Sequence, residues 1–292
     1  MNESNIIRAA ALQINKDDDI EQYIAKAAKQ GAQLVVLPEL HDHAYFCQVK
    51  NPTNFKLAIS IPGPETEHYS QLAKKYGVVL VTSLFEKVSE QKYHNTAIIF
   101  DTNGHQAGQY RKMHIPEGPN YYEKFYFAEG DLGFKPIQTS IGKIGLLVCW
   151  DQWFPEAARL MTLAGADILV YPTAIGWEPT DTNEEKIRQL DAWSIIQRAH
   201  AVANSLPVIA CNRHGFEDDP SHETAGIDFW GNSFISGPQG EILASANDNE
   251  STIVSADIDL TQTQQVREVW PYLQDRRTDS YHDLSQCYPS KK

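Results

Sequence analysis

The chain has 292 residues, 42% hydrophobic and 22% charged, so it can bury a substantial core as one large domain or two small ones. A formal net charge of −13 excludes a basic nucleic-acid footprint and a lysine-rich membrane patch, and no apolar run reaches membrane-spanning length. Four dispersed cysteines (Cys47, Cys149, Cys211, Cys287) fit reduced thiols, and Met1-Asn2-Glu3-Ser4-Asn5 lacks the basic and apolar regions of a signal peptide, so a cytoplasmic protein is expected.

Residues 6–14 read as a strand. Asp17-Asp18-Asp19 then supplies an acidic helix start; Ile20, Tyr23, Ile24, Ala27 and Ala28 share one helical face, and Gly31 stops it. Residues 33–37 form a short apolar strand ending at Pro38-Glu39. A helix over 65–76 stops at Gly77, and residues 78–85 form a buried strand. Residues 93–100 and 105–112, joined through Asn103-Gly104, predict a hairpin. An apolar stretch reaches Val148-Cys149, and a helix pattern follows in Ala157, Ala158, Leu160, Met161 and Leu163. Next come a strand over 167–171, an amphipathic helix over 184–204, and a strand over 206–212. Residues 229–236 and 241–243 read as a second hairpin, and 251–258 as the last strand. Alternating buried strands and helices predict an α/β fold with mixed sheets covered by helices. With no linker to divide it, residues 1–292 form one domain, and the polar, aromatic tail from about 276 is expected to be disordered or laid over a neighbouring subunit.

Three strand ends carry chemistry. Cys149 falls where a strand turns toward a helix, and a helix N-terminus favours a thiolate and binds a developing oxyanion. A free cysteine there also fits a small buried hydrophobe. Glu39 ends an apolar strand, where partial desolvation suits a general base; it also reads as an ordinary cap. Lys112, in Tyr110-Arg111-Lys112-Met113-His114, offers fixed positive charge to a thiolate or oxyanion, or is a solvated surface cation.

Taken in order, Leu37-Pro38-Glu39, Tyr110-Arg111-Lys112-Met113-His114 and Leu147-Val148-Cys149-Trp150-Asp151 resemble the carbon–nitrogen hydrolase family, or nitrilase superfamily, over residues 6–259. The resemblance implies a four-layer αββα sandwich of two mixed sheets, a Glu39–Lys112–Cys149 triad, and no metal or organic cofactor. It also places Glu123, in Tyr122-Glu123-Lys124, as a second glutamate. Cys149-Trp150-Asp151-Gln152-Trp153-Phe154-Pro155-Glu156, the segment Tyr171–Pro179, Cys211-Asn212-Arg213 and Gly231-Asn232-Ser233-Phe234 look like the branch that hydrolyses N-carbamoylputrescine. Relatives acting on N-carbamoyl amino acids tend to carry arginines after the cysteine; Gln152 and Trp153 stand there here, which disfavours an anionic substrate.

The implied activity is hydrolysis of N-carbamoylputrescine to putrescine, ammonia and carbon dioxide through a carbamoyl-thioester on Cys149, late in putrescine synthesis from agmatine. Glu39 is the expected acid and base. Lys112 and the Trp150 backbone N–H are the expected oxyanion donors. Glu178 is expected to bind the substrate ammonium, with Tyr45 and Trp153 lining the site. A homo-oligomer with a small cationic substrate and neither nucleic-acid nor membrane partner completes the expectation. The alternatives are another amidase or ureidase of the family (such as a β-ureidopropionase-like enzyme), a silent binding subunit, or a metal-dependent amidohydrolase using His41 and His43. Those two histidines lack an evident third ligand. The aromatics Tyr121, Tyr122, Phe125, Tyr126 and Phe127 are expected to pack a loop or line a pocket.

Overall fold

The computed structural model describes residues 5–286. The first half of the chain builds five strands of a six-stranded sheet, whose sixth is Thr252–Asp259 near the end of the chain. The five are β1 (Ile6–Gln13), β2 (Leu34–Val36), β3 (Val79–Ser89), β4 (Lys92–Phe100) and β5 (Gln106–Arg111), with α1 (Ile20–Lys29) and α2 (Pro64–Tyr76) in the crossovers. After the single turn α3 (Glu123–Tyr126), the second half repeats the plan. It supplies β6 (Ile137–Thr139), β7 (Gly142–Leu146), α4 (Pro155–Leu163), β8 (Ile168–Thr173), β9 (Gly176–Trp177), α5 (Asn183–Asn204), β10 (Val208–Asn212), β11 (His214–Glu217), β12 (Ile227–Trp230), β13 (Phe234–Ser236), β14 (Ile242–Ser245), β15 (Thr252–Asp259) and α6 (Leu260–Val269). The sheet orders are β15-β1-β2-β3-β4-β5 and β14-β13-β10-β8-β7-β6, with β11-β12-β9 as a small third sheet.

Both large sheets are mixed. β1, β2 and β3 run parallel and meet antiparallel neighbours; β7, β8 and β10 do the same. Side-chain alternation then sorts the apolar residues. Ala9, Ala11, Leu34, Val36, Val79 and Val81 point between the sheets onto Leu146, Ile168, Val170 and Ile209. Ala10, Leu12, Val35, Leu37 and Leu80 point outward onto Ile24, Ala27, Leu72 and Ala73 of α1 and α2. Ala157, Ala158 and Met161 of α4 and Ala201 of α5 cover the second sheet. The result is the αββα sandwich. Each fully buried Val, Leu or Ile in it contributes about 1.5–3 kcal/mol.

Several elements differ from the reading of the sequence, and the short strand β6 was not expected. The stretch 229–236 is not one strand: Gly231 (φ +54°) and Asn232 (φ +53°) turn the chain between β12 and β13, which lie in different sheets. α6 was not expected, although Asp259 caps it by accepting the Thr261 N–H at 2.9 Å. The small third sheet escaped notice because β9 has only two residues, and its Gly176 lies so close to β12 that a Cβ would sit 2.3 Å from the Asp228 carbonyl oxygen. α5 does not bury an apolar stripe. It buries Trp193, Gln197, His200, Ala201 and Asn204, while Ile187 and Ile195 stay exposed. Its inner face meets the polar backbone of the turn after Cys149, where the Trp193 indole N–H donates to Gln152 Oε1 at 2.9 Å and His200 Nε2 lies 2.7 Å from the Gln152 carbonyl oxygen. The tail over 276–286 is largely exposed, and Cys287 lies outside the described residues.

Candidate active site

Glu39 follows β2, Lys112 follows β5 and Cys149 follows β7, so the core between the sheets ends in these three side chains. Glu39 and Lys112 are wholly buried and Cys149 is 3% exposed. Cys149 adopts φ +42°, a strained conformation for a residue with a side chain. Asp151 holds it there. The Asp151 N–H donates to the Val148 carbonyl at 3.0 Å, and its carboxylate accepts the Val148 N–H at 2.9 Å. The same carboxylate accepts the Tyr110 hydroxyl at 2.9 Å and the His114 N–H at 3.1 Å. One aspartate thus ties the cysteine turn to both flanks of Lys112.

The charges form one network. Lys112 Nζ donates to Glu39 Oε1 at 2.7 Å and to Glu123 Oε2 at 2.6 Å. Glu39 Oε1 also accepts from Asn95 Nδ2 at 2.7 Å, and Glu39 Oε2 accepts the Ala174 N–H at 3.0 Å. The Ala174 carbonyl oxygen lies 3.9 Å from Cys149 Sγ, so one residue touches both the carboxylate and the sulfur. Glu123 Oε1 accepts the Tyr45 hydroxyl at 2.8 Å.

Two carboxylates share one ammonium in a dry setting. Burial works against the Lys112 charge, but Glu123 and Glu39 outweigh it and hold the amine well above its usual range. Burial pushes Glu123 up to about 7, against the pull of Lys112, with Glu39 adding to the rise. Burial, and then the Glu39 charge, push the Cys149 thiol well up, while Lys112 pulls it down. This corrects the expectation of a thiolate stabilised by a helix N-terminus. α4 begins only at Pro155, and Cys149 opens a 3₁₀ turn of five residues instead. Burial therefore favours a resting thiol, which needs a base to react.

The remaining expected residues divide. Trp150 stands in the first positions of the 3₁₀ turn, where N–H groups find no partner within the turn, as an oxyanion donor requires. Tyr45 is buried, and its hydroxyl is spent on Glu123 rather than left free to face a ligand. Trp153 packs beside Trp177, Trp193, Trp230 and Phe234, and its buried indole N–H has no partner. Glu178 follows β9 and is partly buried; among the described residues no hydrogen bond or ion pair engages its carboxylate.

The loop histidines have local explanations. His41 is buried, its Nε2 against Thr82 Oγ1 and its Nδ1 3.5 Å from the Tyr69 hydroxyl. Burial, and then the nearby Arg213, lower its pKa to about 3, so it stays neutral. His43 sits 3.6 Å from Asp42. Among the described residues no three His, Cys, Asp or Glu side chains cluster as metal ligands would. Of the loop aromatics, Phe125, Tyr126 and Phe127 pack with Phe46, Phe55 and Phe85.

Three contributors were missed: Asn95, Asp151 and Arg213. Arg213 is buried and donates to the carbonyls of Glu39 at 2.8 Å and Leu40 at 2.7 Å, and to Glu217 Oε1 at 2.6 Å. Glu217 Oε2 accepts the Tyr45 N–H at 2.6 Å. A polar Asn95 within a buried strand, and a charged Arg213 directly after one, were the available signals.

A sequence model described as carbon-nitrogen hydrolase matches residues 9–268. An N-carbamoylputrescine amidase of Solanum lycopersicum is 43% identical over 290 residues, covering 96% of this chain and 95% of that one. A citrullinase of Francisella tularensis is 40% identical over 290 residues, covering 97% and 99%. The crystal structure of a carbon-nitrogen hydrolase from Helicobacter pylori G27 superposes with a TM-score of 0.92 at 51% identity, covering 97% of this chain and all of that one. On this match and on the sandwich that carries it, the chain belongs to the carbon-nitrogen hydrolase family.

Proposed function

We propose that the protein hydrolyses N-carbamoylputrescine to putrescine, ammonia and carbon dioxide. The observation that carries the reading is the Glu39–Lys112–Glu123 network closed around a thiol, with an unpaired carboxylate at Glu178. As the Cys149 sulfur attacks the ureido carbonyl carbon, Glu39 takes the thiol proton. Lys112 and the Trp150 N–H stabilise the oxyanion, an effect worth about 3–4 kcal/mol per donor. The tetrahedral species breaks its bond to the terminal NH2, which leaves as ammonia with the proton from Glu39. An alkylcarbamoyl thioester remains on Cys149. Glu39 then takes a proton from water as its oxygen attacks the same carbon; the C–S bond breaks and the proton returns to sulfur. The freed carbamate loses carbon dioxide to give putrescine. Glu123 stays outside these bonds and holds Lys112.

The carboxylate of Glu178 suits the ammonium at the far end of this substrate, and several plant relatives carry the name N-carbamoylputrescine amidase. The reading makes the enzyme a late step of putrescine synthesis from agmatine. A second reading is citrulline hydrolysis. Citrulline has the same ureido group and chain plus an α-carboxylate; a citrullinase is among the relatives, and the unpartnered Trp153 indole N–H is a donor such a carboxylate would take. Ammonia release separates the two over a panel of N-carbamoylputrescine, citrulline, N-carbamoyl-β-alanine and glutamine. The proposal expects the highest kcat/KM for the first; a higher value for citrulline would move the assignment to the second reading.

A further inference from the structure

We propose that Asn95 and Ser83 are positioning residues that hold the Glu39 carboxylate ionised and aimed, through a closed chain of hydrogen bonds. The inference rests on the reading of Glu39 as the proton acceptor. β3 and β4 pair with Ser83 opposite Ala97, which sets Ser83 and Asn95 diagonally on one face. That face is the one turned toward the second sheet: Val79, Val81, Ala97 and Ile99 line it in the core. Beside Glu39, within both strands, it changes from apolar to polar, and both residues there are wholly buried. Two uncharged polar side chains in such a place add nothing to the core and lose their hydration, unless each bond they make is used.

Every bond has a fixed direction. The Leu40 N–H donates to Ser83 Oγ at 3.3 Å, so the Ser83 hydroxyl proton is free to donate onward, to Asn95 Oδ1 at 3.1 Å. With its oxygen engaged there, the Asn95 amide can only present its NH2 to Glu39, which it does at 2.7 Å from Oε1. The chain starts at the backbone of the residue after Glu39 and returns to the Glu39 side chain. Such chains polarise one another, and a donor to a carboxylate favours its ionised form. Asn95 also shares Oε1 with Lys112, which leaves Oε2, held by the Ala174 N–H alone, as the oxygen to receive the thiol proton. The Lys112 N–H meets the Asn95 backbone carbonyl at 2.9 Å, so truncating the Asn95 side chain leaves the strand pairing beside Lys112 in place.

The test is the pH profile of kcat/KM for the amide substrate that the panel selects. Asn95→Ala is expected to move the acid limb up by about one pH unit, since a donor to a charged group has been lost. Ser83→Ala should move it the same way by less. Asn95→Asp supplies a donor only while that new carboxyl is protonated, so its activity should be confined to acidic pH and fall as pH rises. A role in folding alone predicts lower activity at every pH with an unmoved limb in all three variants, and that result would overturn the inference. Should Asn95→Ala fail to fold, the Ser83→Ala limb decides alone: raised supports it, unmoved refutes it. Glu39→Gln, run in parallel, separates the two levels. If it is inactive while the limbs stay unmoved, only this inference falls. If it turns over normally, the base reading falls and the inference with it.

Discussion

Two buried ionic groups grip Glu39, and they differ in charge balance. On the side-chain side, Glu39 and Glu123 share Lys112, with a thiol close by. On the backbone side, Arg213 faces one carboxylate, Glu217, and its two terminal nitrogens also donate to the carbonyls of Glu39, Leu40 and His43. The first group sets two carboxylates against one ammonium in dry surroundings, and burial pushes Glu123 up to about 7. The second is balanced one to one and stacks its guanidinium near Phe229 and Tyr45, at 5.2 and 6.0 Å from the ring centroids. A balanced pair supports geometry and an unbalanced set supports chemistry, so substitutions in the two should fail differently.

The largest effect is expected in the unbalanced set. Cys149→Ala and Glu39→Gln should each lower turnover by about three to six orders of magnitude at nearly unchanged stability. Ammonia release beside urea unfolding checks this; near-normal turnover in a folded variant would move the chemistry to other residues. The balanced pair should show the opposite signature. Arg213→Met leaves Glu217 buried without its partner, a loss of about 3–5 kcal/mol. Urea unfolding should read that loss directly, and a variant as stable as the parent would mean the pair contributes no net stability.

Smaller effects sharpen the contrast. Glu178→Gln should lower kcat/KM for N-carbamoylputrescine about ten- to a hundredfold, or about 1.4–3 kcal/mol, because the carboxylate is only partly buried. The loss should nearly vanish for the neutral analogue N-butylurea; equal losses would make Glu178 a support of its loop. Tyr45→Phe should be mildest. Its hydroxyl stabilises ionised Glu123, whose carboxyl burial has already pushed up to about 7. Removing that donor raises it further, so more of Glu123 is protonated and lost as counter-ion to Lys112. Activity should fall severalfold below pH 7 and recover as pH rises above it, a dependence that paired pH profiles would show.

How much of this was legible in the sequence depended on range. Glu39, Lys112 and Cys149 each sit at a strand end, but taken singly each also reads as a cap, a surface cation or a buried hydrophobe, and it is the ordered trio of segments with the family resemblance that singles them out. Glu123 came only from the family resemblance. Asn95 and Arg213 act on Glu39 from 56 and 174 residues away, and no local pattern reveals such partners. Strand and helix alternation predicted mixed sheets covered by helices, and the four-layer order came with the family resemblance. The split between β12 and β13 did not, because two consecutive positive φ angles, one at Asn232, decide it. The thiolate expectation failed for a geometric reason: the helix begins too late, and burial beside two carboxylates dominates.

The central claim is that Cys149 rests as a thiol and is deprotonated by Glu39 only as it reacts. The most direct test is the ultraviolet thiolate absorbance of the ligand-free enzyme, titrated with pH and taken as the difference from Cys149→Ala. Because the thiol is held well above its ordinary value of 9.0, the difference should stay flat through neutral pH and rise only beyond that value. A full thiolate signal already present at pH 7 would contradict the account and return the nucleophile to a pre-formed thiolate beside Lys112.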